Sequence, residues 1–153
     1  MGKKIIDLTH TMNEEMTVYP GSTKLVIEKV STIEKDDYYE NYISGSEFVL
    51  FFTGWGKKWN TDAYFESFPV LTEEATMWLS DFKLKAVGFD CFSIDSLTST
   101  DMKLHKIMLS KDICIIENLN DLDKLPSELF EFYCIPLKIE KADGSPIRAF
   151  GMI

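Results

Sequence analysis

The sequence predicts an α/β domain with a mixed sheet buried between layers, and three observations lead there. Short apolar, β-branched runs alternate with helically spaced segments in the order β-α-β-α-β between Phe48 and Ile116. Phe48 to Thr53 is a continuous apolar run of the kind that marks a strand covered on both faces. The chain has 153 residues, 45% of them hydrophobic. At that length folding removes roughly 70% of the unfolded surface from water, so a core forms without disulfides or a structural metal.

Each element has its own justification. Lys4 to Leu8 reads as a short strand, and Pro20, Gly21 and Ser22 turn the chain into Lys24 to Thr32, where Leu25, Ile27 and Lys29 alternate with Val26, Glu28 and Val30. Phe48 to Thr53 is placed in the middle of the sheet. Thr72 offers an N-cap hydroxyl before Glu73 and Glu74, and Leu71, Ala75, Trp78, Leu79 and Phe82 repeat at helical spacing. Lys85 to Phe89 is the next strand, Met102 to Leu109 a short helix, and Ile113 to Ile116 a buried strand. Phe130 to Ile139 is apolar but broken by Pro136, and the Asp143-Gly144 turn leads into Ile147 to Met152. No repeat, linker or low-complexity tract interrupts residues 1–153, which read as a single domain.

Charge and composition exclude several function classes. Lys plus Arg number 16 against 25 Asp plus Glu, a formal charge of −9, which argues against a nucleic-acid partner. No apolar stretch approaches the roughly 20 residues of a membrane span. Asp7 and His10 interrupt what would be the apolar core of a signal peptide, so the expected location is the cytoplasm. Cys91, Cys114 and Cys134 are odd in number and set among apolar residues, and are expected as small buried core residues.

Histidine is scarce, with only His10 and His105, so a metal site would have to lean on carboxylates. Glu117 ends a buried apolar strand, where a lone carboxylate is costly unless paired or metal-bound. The plainer alternative has Glu117 capped by backbone or by Lys106, and His105 half-exposed on its helix. Ser93-Ile94-Asp95 and Ser44-Gly45-Ser46 lack the form of a nucleophile elbow. Gly54-Trp55-Gly56 is a tight turn without phosphate-loop spacing. Arg148 is expected in a structural salt bridge, with carboxylate binding as the other reading.

Taken in order, Asp7-Leu8-Thr9-His10, Val18-Tyr19-Pro20-Gly21, Phe52-Thr53-Gly54-Trp55, Ala86-Val87-Gly88-Phe89-Asp90, Ser93-Ile94-Asp95, His105-Lys106, Ile116-Glu117-Asn118-Leu119, Pro136-Leu137-Lys138 and Asp143 to Ala149 resemble the cyclase family that contains bacterial kynurenine formamidases and isatin hydrolases. The resemblance spans nearly the whole chain. It implies a swivelling β/α/β cyclase-like domain, a divalent metal such as zinc or manganese, hydrolysis of an amide C–N bond in a small-molecule substrate, and a homodimer or larger homo-oligomer. It assigns His105 and Glu117 to metal-contacting positions. Tyr19 matches an aromatic position of the substrate pocket, although a Tyr before Pro-Gly is equally a good turn-packing residue.

The family's signature His-x-Gly-Thr-His-x-Asp-x-Pro-x-His-Phe is absent from this sequence. Asp36 to Asn41 resembles the family's approach to that motif and Ile43 to Leu50 its exit, so the chain reads as internally shortened near residues 41–43. By resemblance, the lost part carried two His and one Asp of the metal site and the acid/base His. Metal-activated water requires several ligands and an open position. His10, Asp90, Cys91 and Asp95 are the candidates to rebuild a site, and no spacing places any of them beside His105.

Three functions follow as expectations. One is a homologue that has lost hydrolysis and binds a small ligand or a full-length relative, without metal. The second is an active hydrolase of an N-formyl or cyclic amide with a rebuilt metal site. The third is a self-associating protein whose uncovered apolar surface is buried by another copy.

Overall fold

The structure is a computed structural model that describes residues 3–11, 43–127 and 129–153. The expected strand from Lys24 to Thr32, Tyr19, and the join at Asn41-Tyr42 lie outside the described residues. Strands β1 (Ile5–Asp7), β5 (Glu131–Pro136) and β6 (Ile147–Met152) form an antiparallel sheet in the order β1-β6-β5. Strands β2 (Phe48–Phe51), β3 (Ala86–Phe89) and β4 (Cys114–Ile116) form a parallel sheet in the order β2-β3-β4. Helices α1 (Glu73–Ser80) and α2 (Lys103–Leu109) are the crossovers of the parallel sheet. The expected mixture of strand directions is thus divided between two sheets.

Alternation along the parallel strands supplies two cores. Val87 and Phe89 of β3 face the helices, packing with Leu79 of α1 and Leu104 and Met108 of α2. Ala86 and Ile116 face the antiparallel sheet, packing with Ile6, Leu8 and Ala149. Gly88 belongs to that second face: a Cβ there would meet Leu50 Cδ2 at 2.6 Å and Leu119 Cδ1 at 2.8 Å. Its missing side chain lets the two leucines close over the centre of the sheet. Each fully buried side chain of Leu or Val size contributes about 1.5–3 kcal/mol.

α1 starts as its sequence requires: Thr72 Oγ1 accepts the Ala75 N–H at 3.1 Å, a cap worth about 1 kcal/mol. α2 begins at Lys103, one residue later than expected, because Met102 is left-handed with φ 50°.

Two expectations are corrected. β2 is not the middle strand: among the described residues β3 is central and β2 ends the sheet. Phe48 and Leu50 pack toward the antiparallel sheet, Val49 and Phe51 toward the helices. An apolar run therefore reports that both faces are covered, not that strands lie on both sides. Of the three cysteines, Cys91 is buried, but Cys134 is only partly so and Cys114 is exposed, because among the described residues β4 is also an end strand.

Candidate functional site

The carboxyl ends of β2, β3 and β4 open on one edge of the parallel sheet, where ligands of α/β folds bind. Thr53, Asp90 and Glu117 lie just past these ends. Asp90, 2% exposed, closes the β2 turn: its Oδ1 accepts the Thr53 N–H at 2.9 Å and the Thr53 hydroxyl at 2.5 Å, while Oδ2 accepts the Gly54 N–H at 2.8 Å. Asp90 is a structural clasp rather than a free carboxylate. Gly54 takes φ 77°, where a side chain would be strained.

The centre of the site is an Asp95–His105–Glu117 line. Asp95 Oδ1 accepts the Leu104 N–H at 3.1 Å, and Oδ2 accepts the His105 N–H at 2.9 Å. Asp95 Oδ2 also lies 2.7 Å from His105 Nδ1, and His105 Nε2 lies 3.5 Å from Glu117 Oε1. Because the Asp95 carboxylate only accepts, Nδ1 donates to it and Nε2 is the ring atom that faces Glu117. A proton or a cation between Nε2 and the Glu117 carboxylate makes that contact favourable.

Burial opposes the Asp95 charge, yet the hydrogen bonds from the His105 backbone and ring and from the Leu104 N–H outweigh it, and the carboxyl titrates below its ordinary range. Glu117 moves the other way. Burial pushes its carboxyl up, against the opposing pull of His105, the Ser93 hydroxyl and the Ile94 N–H. The Ile94 N–H reaches Glu117 Oε1 at 3.4 Å, so the Ile94 backbone and the Ser93 hydroxyl, rather than Lys106, hold the carboxylate locally.

Tyr64, 1% exposed, donates its hydroxyl to Asn118 Oδ1 at 2.8 Å, and Trp55 Nε1 donates to the Tyr64 carbonyl at 2.8 Å. This tie holds Asn118, left-handed at φ 60°, immediately after Glu117. Sequence reading missed Tyr64; its only signal was one aromatic among many between Trp55 and Phe68. His10 stacks on Trp59 with ring centres 3.9 Å apart, and its buried Nε2 has no hydrogen-bond partner among the described residues. Burial lowers the His10 pKa, with Asp121 opposing. Arg148 pairs with Asp7 at 2.6 Å on the exposed sheet face, as a structural bridge.

The structure brings His105 and Glu117 within 3.5 Å of each other and adds Asp95, which no spacing predicted. Asp90 is engaged with the turn after β2, and His10 with Trp59. His105 Nε2 and the Glu117 carboxylate are two donors of the right chemistry for a divalent metal, with Asp95 behind the imidazole as an orienting partner. A hydrolytic metal site takes about three protein ligands. Among the described residues no group of three or more His, Cys, Asp or Glu side chains is placed to hold one. The pair fits a metal in kind, and among the described residues it has no third donor beside it.

This fold and site define an α/β protein with an acid–base line at the carboxyl edge of a parallel sheet. Residues 29–96 match the family described as "Putative cyclase". The chain is 36% identical over 135 residues to "Uncharacterized protein MJ0783" of Methanocaldococcus jannaschii, covering 88% of this chain and 69% of that one. It is 29% identical over 149 residues to the kynurenine formamidase of Bacillus anthracis, covering 97% of this chain and 67% of the relative. The chain therefore spans about two thirds of the length of these relatives.

Among solved structures it is similar to an isatin hydrolase bound to the product analogue thioisatinate, with 28% identity and a TM-score of 0.63. That match covers 69% of this chain and 45% of the hydrolase. A potential metal-dependent hydrolase with cyclase activity superposes with a TM-score of 0.71 at 18% identity, over 99% of this chain and 100% of that one, a likeness of fold. The chain belongs to the cyclase family.

Proposed function

We propose that this chain is a shortened cyclase-family homologue that has lost or strongly reduced amide hydrolysis and keeps the Asp95–His105–Glu117 line as a small-molecule binding site. The observation that carries this reading is the ligand count: two facing donors, with no third among the described residues. The shortening near residues 41–43, where the family's His-rich motif is missing, accounts for the deficit. The retained line can still hold or move a proton between Glu117 and His105 Nε2, and its partly buried position favours a neutral, polar small molecule such as an amide. No described helix is long and apolar enough to cross a membrane, and we place the chain in the cytoplasm. Self-association belongs to the same proposal: Ile5, Ile135 and Leu137 are 63%, 58% and 60% exposed, on or beside the antiparallel sheet, and a second copy would cover them.

A second reading, an active hydrolase of an N-formyl or cyclic amide with a rebuilt metal site, is favoured by one observation. Asp95 already holds the imidazole with Nε2 presented, the arrangement that ligating histidines use. Divalent-metal content of chain purified without chelators separates the two, beside a Glu117→Ala control. Metal well below one per chain, with no turnover of formamides or cyclic amides, is the outcome the first reading expects. About one zinc or manganese per chain, lost in the control and accompanied by turnover, would replace it with the second.

A further inference from the structure

A cavity of about 340 Å³ lies beside β2 at the end of the inter-sheet core, between Leu50 and the segment 122–130. That volume falls within the roughly 300–1,000 Å³ of small-molecule sites. Its floor is firm. Leu50, Leu122 and Leu125 belong to the inter-sheet cluster. Leu125 and Phe130 lie on β6 where Gly151 has no side chain: a Cβ there would meet Leu125 Cδ2 at 2.5 Å and the Phe130 ring at 3.5 Å. The walls are aromatic, formed by Phe130 and by Phe52, whose side chain is 53% exposed. An aromatic side chain so open at the mouth of an apolar cavity gains when a second ring covers it.

Two polar side chains stand at the rim, Asp123 and Ser127, both exposed. Neither makes a hydrogen bond or an ion pair among the described residues. The adjacent Lys124 is engaged by Asp121 at 2.8 Å, so it does not neutralise Asp123. Lys57, with its Nζ 6.0 Å from the Phe52 ring centroid, is not part of the lining. The cavity therefore joins an apolar, aromatic interior to an unpaired carboxylate. The formal charge of −9 biases the same choice, because it draws cations and repels anions.

We propose that this cavity is a second binding site, separate from the Asp95–His105–Glu117 line, for a small amphipathic cation: an aromatic ring that carries an ammonium group. The ring packs against Leu50, Phe52 and Phe130, and the ammonium donates to the Asp123 carboxylate with the Ser127 hydroxyl as a further acceptor. Covered apolar surface carries the affinity, and the ion pair at the exposed rim orients the ligand. A neutral ring leaves Asp123 unused, and an anionic one meets it with like charge. None of the lining residues is shared with the Asp95–His105–Glu117 line, so occupancy of the two sites can be told apart.

The test is a titration of the isotope-labelled full chain with phenethylamine near neutral pH and at low salt, read from the backbone amide signals by NMR. Expected are saturable shifts confined to Phe52 and residues 122–130, with a Kd of about 1 mM, the scale set by so few ligand atoms. Hydrocinnamate, the same ring with a carboxylate in place of the ammonium, should bind roughly tenfold more weakly because attraction at the rim becomes repulsion. Asp123→Asn should weaken phenethylamine about threefold, and raised salt should weaken it in the same direction. Shifts centred on His105 and Glu117, equal binding of hydrocinnamate, an Asp123→Asn variant that binds as tightly as the original, or no saturable shift would each overturn the proposal. The comparison of the two ligands uses the chain without substitutions, so a variant that fails to fold leaves it decided.

Discussion

Asp95 grips His105 twice: one carboxylate oxygen accepts the His105 backbone N–H at 2.9 Å and lies 2.7 Å from the ring Nδ1 of the same residue. With Leu104 donating to the other oxygen, the carboxylate caps the start of α2 from ten residues away. Helix start and imidazole orientation are therefore a single device.

Removing it should cost stability and ring orientation together. Asp95→Ala leaves two N–H groups at the α2 start and the ring Nδ1–H without their acceptor, and should cost about 2 kcal/mol in urea unfolding at pH 7. The Asp95 carboxyl titrates lower in the folded chain than in the unfolded one. Its contribution is therefore complete above about pH 4, the unfolded value, and is lost as pH falls through the folded value. The difference between the original chain and Asp95→Ala should narrow in acid; a constant difference down to pH 2 would contradict this.

Glu117 carries the opposite sign. Burial raises its carboxyl, so the protonated form is favoured in the folded chain, and stability present below about pH 4 is lost as pH rises through the folded value. Glu117→Gln does not titrate. Its melting temperature should match or exceed the original at pH 8, with the gap shrinking toward pH 4. A melting temperature several degrees below the original at pH 8 would show that the charged carboxylate is held by a partner such as a bound cation.

Two further buried groups predict weakness in alkali. Burial pushes the Cys91 thiol up to about 12 and raises the Tyr64 hydroxyl well beyond its ordinary range. Both stay protonated in the folded chain while the unfolded chain ionises from about pH 9 upward, so stability falls with rising pH, at about 1.4 kcal/mol per pH unit for each ionising group. Urea titrations between pH 8 and 11 read this slope, and Tyr64→Phe should make it shallower.

Met102 sits at φ 50° just before α2 with its side chain 52% exposed. A left-handed L-residue costs roughly 1–2 kcal/mol, and glycine gives back part of that gain as chain entropy. Met102→Gly should stabilise the protein by about 0.5 kcal/mol in the same urea assay. A loss of stability would mean that the methionine side chain is packed against something, and the position would then belong to the site's wall.

Much of the fold was legible because its signals are local. Thr72 and the glutamates after it announce α1 within one turn of chain, and β3 and β4 appear as short apolar runs bounded by turns. The lateral order of strands was not legible. Phe48 to Phe51 carries apolar residues on both faces, and face coverage is all that a run of side chains encodes, so its place at the end of the sheet among the described residues emerged only from hydrogen-bond pairing. Cys114 was misplaced for the same reason.

The site divides likewise. His105 and Glu117 stood out in the sequence, one as a rare residue type and the other as a carboxylate closing an apolar strand. Asp95 was one of four candidates that no spacing could place, because Ser96 to Met102 between it and the helix is irregular and has no period from which a distance could be read.

The sequence by itself determined the order of the elements among the described residues and the family, since these reside in residue identity and short-range spacing. Only the tertiary structure decided that Asp95 stands behind His105 and that Tyr64 braces Asn118 beside Glu117. Those pairs lie 10 and 54 residues apart in the chain, and the convergence of the segments that follow the parallel strands, not any local preference, brings them together.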